Sequence, residues 1–202
     1  MKIFRSTVEE IEEIGPYIQI RLPKVKQTKT FSCGAAALRS VCELFGVGPE
    51  SERDFIKACK TSKKTGTRPR DLIRAAREFG LSVRPQSGMS IENLKKYLDM
   101  GRPVICCLQA WCGCEIEDRD KAYKDRASGH YVVACGSDHS LIYFEDPMME
   151  DSRGFLPYED FKKRWHDEDY DGNVYKQYGI VLWKSSGTEL CNEHVPQAKK
   201  IP

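Results

Sequence analysis

Gly129-His-Tyr-Val-Val-Ala-Cys-Gly-Ser-Asp-His-Ser-Leu-Ile-Tyr-Phe-Glu-Asp-Pro147 reads as two strands joined by a polar turn. Residues 131–135 and 141–145 are short apolar runs rich in β-branched and aromatic side chains, and residues 136–140 between them carry turn chemistry. In a hairpin the start of one strand lies beside the end of the next. His130 opens the first run and Asp146 closes the second, so the predicted hairpin sets an imidazole next to a carboxylate.

Working outward, the half of the chain from Pro103 onward continues in this character. Residues 104–111 and 179–183 are further strand candidates, with a helix expected at 157–165. Residues 106 and 107 are both cysteine and, as strand neighbours, point to opposite faces. The stretch before residue 103 reads differently. Leu38, Val41, Cys42 and Phe45 recur at helical spacing over 33–45, and Gly46 follows as a stop. A second helix is expected near 51–60. A third, near 69–79, has Pro69 at its start and Gly80 just past its end. A fourth starts after Ser90, the expected N-cap, and stops at Gly101. Helices first and strands later predict an α+β fold, with N-terminal helices packed on a C-terminal antiparallel sheet. Residues 1–185 are expected to form one domain and residues 186–202 a loosely held C-terminal tail.

The composition narrows the function classes. Lys and Arg total 32 against 30 Asp and Glu, a net charge of +2, which is too even for nucleic acid or an anionic membrane as the main partner. The basic run from Lys57 to Gly66 reads as a solvated helix end and loop. No apolar run approaches the roughly 20 residues needed to span a bilayer, and the N-terminus turns acidic too early for a secretory signal. A cytoplasmic location is expected. Nine cysteines cannot all pair, and reducing conditions would keep most as small buried thiols.

A cysteine nucleophile needs an accessible thiol, an environment that favours the thiolate and a base within reach. Cys42 lies on an apolar helix face, Cys59 near a helix end, Cys106, Cys107 and Cys135 within strands, and Cys191 in the tail. Cys33 instead opens its helix, where free backbone N–H groups and the helix dipole favour an anion. Gly34 beside it leaves room for a substrate backbone. Position alone is equally compatible with a buried structural thiol. Among the four histidines, His194 is in the tail, His166 follows a charged helix and His139 lies in the turn, while His130 stands at a strand start with Asp146 beside it. Gln27, six residues before Cys33, is placed to donate an amide hydrogen bond to an oxyanion alongside the Cys33 N–H, or is simply solvated. Trp111 follows a strand that ends near the same place, as either a substrate contact or a core side chain. Residues 115–126 form a charged insertion that reads as a solvated loop or as a cleft rim.

Four stretches together resemble the C39 family of papain-like cysteine peptidases: residues 27–38, 66–72, 129–136 and 144–147. They read Gln27-Thr-Lys-Thr-Phe-Ser-Cys-Gly-Ala-Ala-Ala-Leu, Gly66-Thr-Arg-Pro-Arg-Asp-Leu, Gly129-His-Tyr-Val-Val-Ala-Cys-Gly and Phe144-Glu-Asp-Pro. The likeness runs over roughly residues 20–185, with the Cys, His and Asp blocks in the family's order. It implies a papain-like fold and peptide-bond hydrolysis through a thioester acyl-enzyme. It also implies Cys33 as nucleophile, His130 as base, Asp146 as its orienting acid and Gln27 as oxyanion donor. The implied partner is a peptide or protein substrate, with no cofactor and no metal. Ser32 stands where the family often has Asp. No Walker-type phosphate loop is present, so a stand-alone member, free of the transport and nucleotide-binding domains many members carry, is expected. A binding module that kept the fold but lost catalysis is a further reading, against which the intact Cys, His, Asp and Gln set argues, and two other rival readings remain. One is an acyl or peptidyl transferase with the same triad. The other is a metal or redox protein built on Cys106, Cys107, Cys112 and Cys114; its spacing fits neither a C-x-x-C redox motif nor a two-pair zinc site.

Overall fold

The computed structural model describes residues 17–112, 124, 128–191, 193–194 and 198–202. The insertion at 115–126, apart from Lys124, and Cys114 lie outside them.

The helices form where the pattern places them. α1 (Cys33–Leu44) buries Leu38, Val41 and Cys42. α2 (Glu52–Ala58) starts from Ser51, whose side chain accepts the Asp54 N–H. α3 (Pro69–Glu78) has Pro69 in its first turn, and Gly80 follows at φ +86°, a conformation that suits glycine just past a helix end. α4 (Ile91–Asp99) is capped by Ser90, whose Oγ accepts the Asn93 N–H at 3.1 Å. α5 (Tyr158–Arg164) follows among the later strands.

The strands are β1 (Tyr17–Ile18), β2 (Ser82–Gln86), β3 (Val104–Gln109), β4 (Gly129–Ser137), β5 (Leu141–Glu145) and β6 (Gly154–Pro157). They continue with β7 (His166–Glu168), β8 (Val174–Lys176), β9 (Gly179–Trp183), β10 (Glu193–His194) and β11 (Lys199–Lys200). Among the described residues nine of these make one sheet, ordered β11-β6-β5-β4-β3-β9-β2, with β1 joined to β4 and β10; β7 and β8 pair separately. β3 is buried along its whole length and nearly all of β4 is, because α1, α4, α5 and β7 all pack against these two strands.

The structure departs from the sequence expectation in three ways. β2 interrupts the helical half, since it runs as an edge strand beside β9 and tolerates Pro85 there. The sheet is antiparallel except at one edge, where β11 pairs with β6 in parallel. The end of the chain is not loose: β11 extends the sheet and Ile201 is fully buried. Between β4 and β5 the register shifts at Cys135. Its carbonyl, turned out of the ladder, accepts the N–H groups of Gln19 at 3.0 Å and Ile20 at 2.9 Å, which fastens the N-terminal segment to the sheet.

Candidate active site

Cys33 is the first residue of α1, and that helix has no acidic residue in its first turn to oppose a thiolate. The loop in front of it is held from α2. Glu52 accepts the Ser32 hydroxyl at 2.7 Å and the Thr28 N–H at 3.0 Å. Burial raises the Glu52 carboxyl pKa, but hydrogen bonds from Thr28 and Ser32 together with the Arg39 charge outweigh burial and hold it below its ordinary value. Ser32, the departure from the family pattern, is thus a buried hydroxyl with a carboxylate of its own.

The hairpin of β4 and β5 joins His130 to Asp146. Val133 pairs with Glu145, so Asp146 lies on the face that alternation assigns to His130. The His130 Nε2 and Asp146 Oδ1 are 2.6 Å apart. Asp146 is fixed further: Oδ1 accepts the Met148 N–H at 2.8 Å and Oδ2 the Trp111 indole N–H at 3.0 Å. Both His130 and Asp146 are buried. Burial by itself would lower the His130 pKa. The Asp146 charge and hydrogen bond, with a hydrogen bond to Cys33, overcome that and lift it to about 10. Burial raises the Asp146 pKa, and the His130 charge with the other donors reverses the shift and holds it low. The charged imidazolium is therefore favoured, with a carboxylate at Nε2 and Cys33 as a further hydrogen-bond partner.

Gln27 is buried and sits beside this group, since its backbone N–H donates to the Pro147 carbonyl at 3.0 Å. Its side-chain Nε2 donates to the Lys29 carbonyl at 2.8 Å, and its Oε1 has no partner among the described residues. Gly34 is needed for a close approach to the chain itself: a Cβ there would lie 2.6 Å from that of Thr67. Trp111 reaches Asp146, and neighbouring Gln109 is fully buried, its amide donating to the His166 carbonyl and Asp167 Oδ1, both at 3.0 Å.

A cavity of about 190 Å³ opens in front of Cys33, bounded by Thr65, Thr67, Tyr131, Asp167, Asp169 and Tyr175. Nothing local in the sequence points to Asp167. It lies on β7, far from Cys33 in sequence, in a charged stretch that reads as surface. The structure brings it under the sheet, where Cys107 donates its thiol proton to Oδ2 at 2.8 Å. Burial raises both groups' pKa values. Cys107 is therefore held as a thiol. Cys42, Cys59 and Cys106 are likewise pushed up by burial. Seven described cysteines are in no disulfide, whereas Cys112 is disulfide-bonded. Among the described residues no group of three or more His, Cys, Asp or Glu is arranged to hold a metal ion. No described helix is long and apolar enough to cross a membrane.

Solved structures share this architecture. The peptidase domain of Streptococcus ComA, a bi-functional ABC transporter involved in quorum sensing, is 24% identical, with a TM-score of 0.58 over 80% of this chain and 97% of that one. A C39-like peptidase from Bacillus anthracis is 16% identical, with a TM-score of 0.61 over 83% of this chain and 98% of that one. A double-glycine-motif protease from an AMS/PCAT transporter, solved with its leader peptide, is 18% identical, with a TM-score of 0.55 over 83% and 96%. No curated protein matches. The Peptidase_C39 like family model matches residues 14–172, a span holding Gln27, Cys33, His130 and Asp146, and the chain belongs to that family of peptidases.

Proposed function

We propose that this protein hydrolyses peptide bonds through a Cys33–His130–Asp146 triad and a thioester acyl-enzyme. The carrying observation is the His130 imidazole between the Cys33 thiol and the Asp146 carboxylate, with its charged form favoured. In this mechanism Cys33 attacks as its thiolate, its proton carried by His130. Attack on a substrate carbonyl forms the S–C bond and moves the carbonyl electron pair onto oxygen. The Cys33 backbone N–H and the second hydrogen of the Gln27 amide, the first being held by Lys29, donate to that oxyanion. As the oxyanion collapses the C–N bond breaks, and His130 gives its proton to the departing amine. Water then loses a proton to His130, adds to the thioester and expels the Cys33 thiolate, releasing a carboxylic acid and restoring the ion pair.

The substrate in this reading is a peptide lying across the mouth of the cavity beside Cys33, with one side chain in its 190 Å³ space. Crystallisation of one structural relative with a leader peptide supports a peptide as the occupant. The test is a peptidyl electrophile with mass-spectrometric mapping of the adduct. Cys33 is the expected site, and Cys33→Ala is expected to abolish labelling and lower turnover by about a thousandfold or more. A Cys33→Ala protein with full peptidase activity would overturn the assignment.

A further inference from the structure

Trp111 is held in a conformation its own sequence does not favour. Its backbone has φ +57°, the left-handed region, which a bulky side chain disfavours. Its backbone N–H donates to the Pro202 carbonyl at 3.3 Å, and the preceding Ala110 N–H donates to the Ser128 carbonyl at 3.0 Å. In this pose the indole N–H meets Asp146 Oδ2 at 3.0 Å.

Residues 198–202 supply half of that support, and they are themselves clamped. The Lys199 N–H donates to the Arg153 carbonyl at 2.9 Å and the Ile201 N–H to that of Phe155 at 3.1 Å. Ile201 fills the space left by Gly154, where a Cβ would lie 2.6 Å from the Ile201 side chain. The buried Arg164, at the end of α5, spans the junction. Its Nε donates to the Gln109 carbonyl at 2.7 Å, Nη1 to Ile201 at 3.1 Å and Nη2 to Pro202 at 2.6 Å. One guanidinium thus binds the end of β3, which leads into Trp111, to the segment that receives the Trp111 N–H.

We infer that Trp111 is a positioning residue for Asp146, and that the docked segment 198–202 sets Trp111 in place, so that an edge strand far along the chain controls the orientation of the carboxylate behind His130. This rests on the proposed triad. Asp146 Oδ1 is already held by Met148 and faces His130, so the indole decides only where Oδ2 lies, which is the rotation of the carboxylate plane. The titratable groups that act on His130 are Asp146 and Cys33, and neither is replaced by a change at Trp111 or Ile201.

The test follows the His130 imidazole by NMR through a pH titration of the full chain, in the native protein, Trp111→Phe, Ile201→Ser and the double variant. Thermal unfolding of each shows that it is folded. Trp111→Phe keeps an aromatic ring and removes the donor. Loss of orientation is expected to lower the His130 midpoint by about half a unit or more in each single variant. The double variant is expected to fall no further than Trp111→Phe alone, because both act on one contact. Iodoacetamide alkylation of Cys33 near pH 9, where the native ion pair persists, is expected to change in the same variants. A folded single variant with an unchanged or raised midpoint overturns the inference, since it shows Met148 to be a sufficient anchor; additive shifts in the double variant overturn it as well. A native His130 titrating at its ordinary value would overturn the triad reading and this inference together, whereas a high native midpoint with indifferent variants would remove this inference alone.

Discussion

At the scale of single residues, the candidate site sets burial against charge. His130 and Asp146 are each buried, and each would be neutral there alone; together they hold one proton and remain an ion pair. The sign of the pH dependence follows. Imidazolium is present below about 10 and is lost above it, so activity is expected to fall on an alkaline limb near that value. Asp146→Asn keeps the shape but removes the charge, leaving burial to disfavour the imidazolium. The alkaline limb is then expected to move down by about two units or more, with a loss of kcat of at least about tenfold, read from a pH–rate profile. Unfolded, His130 returns to its ordinary value of about 6.5. The His130 contribution to stability is therefore complete below that pH and disappears as pH rises through about 10, while the Asp146 contribution is present above the ordinary carboxylate range and is lost as pH falls through its lowered folded value.

At the scale of elements, the start of α1 is the critical joint. Its N-cap residue, Ser32, makes no side-chain cap bond and instead donates to Glu52 on α2, so the loop before Cys33 is shaped by the neighbouring helix. Behind it the missing side chain of Gly34 admits Thr67, whose hydroxyl lies 2.6 Å from that of Thr61. A methyl at residue 34 would have to displace this buried pair. Gly34→Ala is expected to destabilise the fold by about 1–3 kcal/mol in chemical denaturation, as overpacking does. It should also lower the rate of Cys33 alkylation, because the helix start moves with it. An unchanged denaturation midpoint would show that Thr67 yields freely.

At the scale of the whole molecule, the N-terminal segment, the sheet and the end of the chain are joined by buried charge. Arg153 pairs with Glu145 and donates to the Leu22 carbonyl, while Glu145 also accepts the Val25 N–H at 3.0 Å. Both side chains are buried, and Glu145 directly precedes Asp146 in the chain. Removing the arginine leaves a carboxylate with no countercharge. Arg153→Met is expected to cost about 3–5 kcal/mol of unfolding free energy, whereas combining Arg153→Met with Glu145→Gln should recover part of it. Equal losses in the single and double variants would show that the pair acts only through packing.

The hairpin of residues 129–147 and the helix opening at Cys33 were legible in the sequence because both depend on local patterns: alternation, turn residues, and apolar spacing against a glycine stop. Strand pairing then obliged His130 and Asp146 to meet, so the heart of the site could be read before any coordinates. The edge strands could not. β2 and β11 are short and rich in Arg, Lys and Pro, and they become strands only because a neighbour offers unpaired backbone groups. Nor does any local signal mark Asp167 as buried under Cys107, or direct Trp111 to Asp146. Those contacts join residues 35 or more positions apart, and one depends on a backbone conformation that tryptophan disfavours. The local patterns of the chain were enough to open a helix at Cys33 and to make His130 and Asp146 neighbours. Tertiary structure alone decided what holds them in place, because burial and long-range hydrogen bonds exist only once distant segments have packed together.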